Sequence, residues 1–261
     1  MKGLHLFGGE KGGVGKSTTA QTGVEYCQLK KIDYKLFDAD RTSPDVGEIY
    51  EPSIYLNGGK NGYQPNNKNP GNRIYFSEEA EDSFLADNLF ALACEQLVLV
   101  NLPAQVSVIV DAWLARGILE LAEQEKVDIY FWFVTDGSPE SINLLSKFLS
   151  TYKDVNIVKT ILVVNEGLSK QAMDNINNSS IAKTVKAQTR AIIKMPLLFL
   201  SSQEKKLLKE KRISLTAASQ RENTEGLNLI AKQRVKQFLR NCHEQIDNHD
   251  IFNLKVEAKT N

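Results

Sequence analysis

The stretch Gly8-Gly9-Glu10-Lys11-Gly12-Gly13-Val14-Gly15-Lys16-Ser17-Thr18 constrains what this chain folds into more than any other. It follows a short apolar run (Leu4, Leu6 and Phe7) that reads as a strand. It leads into Lys16 to Leu29, where Ala20, Val24 and Cys27 recur at the three-to-four spacing of a helix. Glycines between a strand and a helix let backbone N–H groups turn inward around an anion, and the helix N-terminus adds unpaired donors and a favourable dipole. A lysine after the last glycine reaches the terminal phosphates of a nucleotide, and the hydroxyl after it sits on Mg²⁺. Gly12, Gly13, Val14, Gly15, Lys16, Ser17 and Thr18 are therefore expected to hold nucleotide phosphates, with Ser17 on the metal.

Lys11 is superfluous to such a loop, because Lys16 already serves the phosphates. The string KGGVGKST, extra lysine included, resembles the deviant Walker A motif of the ParA/MinD family of P-loop ATPases. The resemblance implies ATP and Mg²⁺ as ligands and a homodimer with ATP sandwiched between its subunits. It also implies that Lys11 reaches the partner's phosphates, acting in trans as an arginine finger does on a transferred phosphoryl group.

The remaining chain alternates apolar strands with helices, which predicts a doubly wound, mostly parallel α/β sheet with helices on both faces. A nucleotide would lie at the carboxyl edge of its strands. Tyr34 to Phe37 reads as a strand running into Asp38-Ala39-Asp40, two carboxylates on one face of an extended backbone and a natural Mg²⁺ and water site. The family likeness implies that Asp40 orients the attacking water and that Asp38 supports the metal shell. Leu97 to Val100 is a buried strand ending in Asn101, where the family carries its Walker B aspartate. Slow hydrolysis is expected to follow, unless Asp111 or Asp136 supplies the metal instead. Val158 to Val164 ends in Asn165, whose amide by the same likeness reads the adenine edge, and Pro196 backs the base.

Other stretches are read from composition and pattern. Residues 45–73, rich in Asn, Gly and Pro, predict an exposed loop-like insertion with a small hairpin through Ile54-Tyr55-Leu56. Ile74-Tyr75-Phe76 reads as a strand, with Ser77 capping an acidic helix toward Cys94. Ser107 to Ala122 is expected to be one helix, and Ser201 to Asp247 a set of basic helices. One domain over 1–247 with a flexible, frayed tail over 248–261 completes the plan.

Net charge is zero but unevenly spread. Residues 78–125 carry ten Asp/Glu against one Arg, whereas 183–240 carry fourteen Lys/Arg against four Glu. The basic surplus fits a polyanion, and Lys205, Lys206, Lys209, Lys211, Arg212, Lys232, Lys236 and Arg240 are the candidates for non-specific DNA contacts. Cys27, Cys94 and Cys242 are scattered and form no metal-binding pair, and no apolar run is long enough to span a bilayer. The expectation is a cytoplasmic, nucleoid-associated ATPase switch of the ParA type that positions DNA or another large cargo, triggered by an activating adaptor protein. A MinD-like membrane switch, for which the tail offers only Ile251, Phe252 and Leu254, and a plasmid mobilisation or stability ATPase are the alternatives.

Overall fold

Odd and even residues of the central strands are mostly apolar but face opposite ways, so the sheet needs cover on both sides. A computed structural model describes residues 1–55, 74–77, 79, 84–220 and 226–254. Six strands pair in parallel: β1 (Gly3–Gly8), β2 (Tyr34–Asp38), β3 (Leu97–Asn101), β4 (Ile129–Thr135), β5 (Val158–Asn165) and β6 (Thr189–Met195). Their spatial order is β2-β3-β1-β4-β5-β6. Leu4, Leu6, Val98, Val100, Phe131 and Phe133 enter one core. Phe7, Leu97, Leu99, Tyr130, Trp132 and Val134 enter the other. The doubly wound parallel architecture predicted from the strand pattern is the one observed.

Helices connect the strands over both faces. In chain order they are α1 (Lys16–Lys30), α2 (Asp45–Tyr50), α3 (Pro52–Tyr55), α4 (Asp87–Ala93), α5 (Ser107–Trp113), α6 (Leu119–Glu125), α7 (Pro139–Thr151), α8 (Ala172–Asn177), α9 (Ala182–Gln188), α10 (Ser202–Glu210), α11 (Leu215–Ser219) and α12 (Leu229–Asn248). The helix expected over 107–122 is interrupted between α5 and α6 by a π-type turn, Leu114–Ile118, in which Gly117 has φ +102°. That left-handed conformation suits glycine alone at low cost.

Three expectations need correction. Residues 45–55 are not loop: they form α2 and α3, and Tyr55 ends a helix rather than pairing in a hairpin. Its buried ring is what the turn-rich composition concealed, and residues 56–73 lie outside the described residues. Ile74, Tyr75 and Phe76 are buried but join no strand of the sheet, because their apolar character serves packing and not a ladder. Of the helix expected from Ser77, the part observed is α4; residues 78 and 80–83 lie outside the described ones.

The third correction is the tail. Ile251 and Phe252 are fully buried. The Phe252 ring stacks on His5 (centroids 4.8 Å apart) and on Tyr26 (5.2 Å). Trp132 Nε1 donates to His5 Nδ1 at 3.1 Å, and burial holds the His5 pKa down to about 3, so the ring is neutral. The chain end through Leu254 thus seals the core against the start of β1; residues 255–261 lie outside the described part.

Candidate functional site

β1 is flanked by β3 on one side and β4 on the other, the point at which strand order reverses and a crevice opens beyond the carboxyl ends. The glycine loop leaves β1 there. At Gly15, φ is +105°, and a Cβ would lie 2.6 Å from Asn165 Nδ2 and 2.9 Å from Met195 Cε. Only glycine meets both demands. Asn165 Nδ2 donates to the Val14 carbonyl at 2.7 Å, and Gly167 N donates to Asn165 Oδ1 at 3.0 Å. Asn165 therefore braces the loop from the end of β5, a role the resemblance did not suggest beside its expected contact with adenine.

Lys16 is buried and its Nζ donates to the Lys11 carbonyl at 2.9 Å. Burial lowers its pKa, and the carboxylates of Glu10 and then Asp40 offset part of that shift. Lys11 is drawn away from the loop interior. Its Nζ donates to Asp136 Oδ2 at 2.7 Å and to Ser138 Oγ at 3.0 Å, with Glu140 at 3.8 Å. The bond to Asp136 raises the lysine pKa, so it remains a cation. Asp136 is committed to this pair, and Asp111 accepts from the Tyr152 hydroxyl. Neither behaves as a spare metal ligand.

At the end of β2 the two aspartates divide. Asp38 is 3% exposed, and both its oxygens are fully engaged. Oδ1 accepts from Asn101 Nδ2 (2.9 Å) and Asp40 N (3.1 Å), and Oδ2 from Val46 N (3.0 Å) and Gly47 N (2.9 Å). Burial nevertheless pushes its pKa up to about 6 against these four donors. Asp38 thus fastens α2, a structural role beside the support of the metal shell that the resemblance implied. Asp40 Oδ1 accepts from Thr42 N, Thr42 Oγ1 and Ser43 N, which shapes the turn into α2. Its second oxygen accepts no hydrogen bond among the described residues. Asn101 is 1% exposed, and its Oδ1 has no hydrogen-bond partner among the described residues. Asp38→Asn is expected to cost about 3 kcal/mol in urea unfolding, because an amide NH₂ would face N–H donors that the carboxylate now satisfies. A loss under about 1 kcal/mol would show that α2 is held by other contacts.

A cavity of about 330 Å³ opens beside the loop, lined by Gly15, Ser17, Thr18, Asn165 and Pro196 among others. Its far wall is a pair of ion pairs between α10–α11 and α2: Lys209 to Asp45 and Arg212 to Glu48, each 2.8 Å. α2 is also tied to α1, since Tyr50 donates to Glu25 Oε1 at 2.6 Å. Of the candidates for DNA contact, Lys209 and Arg212 are thereby engaged within the chain. Lys206 and Arg240 pair with Glu210 and Glu244 one helical turn on, and Lys232 is buried. Lys205, Lys211 and Lys236 are exposed. Among the described residues no cluster of three His, Cys, Asp or Glu could cage a metal unaided. Ser17 of the loop and the carboxylates of Glu10 and Asp40, both of which act on Lys16, are hard oxygens, and Mg²⁺ suits such a set when phosphates and waters complete its shell.

No family model matches the chain. The solved structure of pNOB8 ParA aligns over 95% of this chain and 99% of its own, with TM-score 0.50 and 12% identity. The chain has the ParA-type P-loop fold. An ADP-bound nucleotide-binding protein from Archaeoglobus fulgidus aligns over 82% of this chain and 88% of its own, at 14% identity and TM-score 0.46. In sequence, Protein MobD of Acidithiobacillus ferrooxidans is 26% identical over 160 residues, 60% of this chain and 63% of that protein. The likeness therefore spans less than two thirds of that relative. Among the described residues no helix is long and apolar enough to cross a membrane.

Three carboxylates at the site were missed in the sequence. The α2 carboxylates Asp45 and Glu48 sat inside what read as loop. Glu10 sat within the glycine motif itself, at a position the motif leaves free. Its carboxylate character was the available signal.

Proposed function

We propose that this chain is an ATP-hydrolysing dimeric switch of the ParA type, built as one P-loop domain. The observation that carries the reading is the cavity in which the Gly12–Thr18 loop meets Asn165 and Pro196, at the switch point of the parallel sheet. Loop N–H groups and Lys16 would hold the phosphates, and Pro196 would lie against the base. Ser17 would take the Mg²⁺, which when bound offsets phosphate charge during transfer. Asp40 keeps one carboxylate oxygen to orient the attacking water. Asn101, uncharged where the family has an aspartate, favours slow turnover, which suits a timed switch.

Lys11 is the element that makes the reading dimeric. Held at the surface by Asp136 and Ser138, it is placed outside its own loop, where a second subunit could receive it. Binding of ATP would draw two chains together, and Lys11 would exchange Asp136 for the partner's phosphates. Light scattering tests this. Under Mg²⁺ and a non-hydrolysed ATP analogue the mass is expected to double, and Lys11→Ala is expected to raise the dimer dissociation constant about tenfold or more. A nucleotide-loaded monomer at tens of micromolar protein would remove the trans role.

Non-specific DNA is the cargo surface that the basic surplus of residues 183–240 favours, with the exposed Lys205 and Lys236 as its first candidates, since Lys209 and Arg212 are ion-paired within the chain. An activating adaptor protein would set the timing. A mobilisation or stability setting fits the sequence likeness to MobD. The MinD-like membrane alternative loses its support, since Ile251 and Phe252 are buried in the core.

A further inference from the structure

By the family resemblance the site lacks one negative charge, and a carboxylate stands within the glycine loop at a position the motif leaves free. Asn101 is neutral where a Walker B acid would be charged, and Asp38 spends both oxygens on α2 and Asn101. β1 and β3 are adjacent, with Phe7 opposite Asn101, so the residues following each strand leave the sheet side by side. Glu10 lies three residues past Phe7 and is tied to the segment that follows Asn101, because Ser107 N donates to Glu10 Oε1 at 3.0 Å. Its other oxygen accepts no hydrogen bond among the described residues. Of the carboxylates acting on buried Lys16, Glu10 acts most strongly and Asp40 second. The independent sign of a ligand is Asn101 Oδ1, a buried acceptor without a donor among the described residues. A buried carbonyl left unpaired costs about 1–3 kcal/mol, so a donor from outside the chain is called for.

We infer that Glu10 supplies the charge that Asn101 lacks, the free Glu10 oxygen and Asn101 Oδ1 together accepting from water ligands of the Mg²⁺ that accompanies the nucleotide. The inference rests on the nucleotide reading above. It makes Glu10 a positioning residue that acts through water on the metal, while its first oxygen holds the start of α5. A neutral carbonyl and a carboxylate on neighbouring loops would then do the work of one Walker B acid. The alternative role of Glu10 is confined to the bond with Ser107 N.

Glutamine separates the two roles, since its carbonyl keeps the bond to Ser107 N and only the charge is lost. The measurement is the affinity of the full-length chain for a fluorescent ADP analogue, with Mg²⁺ and with EDTA. Wild type is expected to bind more tightly with Mg²⁺. Glu10→Gln is expected to lose about tenfold of that gain while binding equally well or better in EDTA, where an acid beside the phosphates only repels them. Asn101→Asp placed in the Glu10→Gln background is expected to restore the Mg²⁺ gain. An unchanged Mg²⁺ gain in Glu10→Gln, or a loss confined to Glu10→Ala, overturns the inference and leaves Glu10 as the holder of α5. If the wild-type chain binds the analogue in neither condition, the nucleotide reading fails and the inference with it.

Discussion

Lys16→Ala is expected to weaken ATP binding by about a hundredfold or more while leaving the fold as stable as before. The lysine is 8% exposed, and its ammonium has a single acceptor among the described residues, the Lys11 carbonyl. Truncating one member of a buried, hydrogen-bonded charge pair costs about 2–5 kcal/mol of binding, and each 1.4 kcal/mol is about tenfold. The stability arm has the opposite sign. Burial already lowers the Lys16 pKa, so holding that cation inside the loop costs the folded chain energy in the absence of phosphate. Removing it is expected to keep the melting temperature or raise it slightly. Calorimetric titration of ATP and a thermal melt give both readouts. Affinity within threefold of wild type would mean that Lys16 is not the phosphate lysine, and a large fall in melting temperature would make it structural.

The second large effect lies at the other end of the chain. Phe252→Ala is expected to cost about 3–5 kcal/mol, the usual range for deleting a buried aromatic ring. Phe252 is 1% exposed and stacked between His5 of β1 and Tyr26 of α1, with Trp132 of β4 at 6.2 Å. The cavity left behind has walls in three separate elements, all of them fixed by the sheet or by α1, so little collapse is available to fill it. It would also open a path for water to His5, whose neutrality depends on burial. Urea unfolding followed by fluorescence measures the loss. A cost below about 1 kcal/mol would return the tail to the surface and reopen the membrane alternative, because Ile251 and Phe252 would then be free to insert.

The short-range chemistry of this chain is written in its sequence. The glycine loop, the strand before it and the helix after it depend on residues in immediate succession. A glycine at 15 and a lysine at 16 are meaningful wherever the rest of the chain goes. The same holds for the sheet: Leu97–Val100 and Ile129–Val134 are apolar at every position, and only a strand covered on both faces buries such a run. The parallel doubly wound architecture follows from those runs and the helices between them.

What the tertiary structure decided is where each polar side chain spends its hydrogen bonds. Asp38 and Asp40 look equivalent in sequence, two residues apart on one strand end. Asp38 became the fastening of α2 because Val46 and Gly47, eight and nine residues on, turn their N–H groups toward it. Lys209 and Arg212 read as free cations until α10 and the turn after it met the carboxylates of α2, more than 160 residues earlier in the chain. The tail was too polar to predict burial, yet two apolar residues sufficed once α12 delivered them to a gap between His5 and Tyr26. Composition and spacing report what a residue is able to do. Its partners are chosen by long-range packing, and no local pattern encodes them.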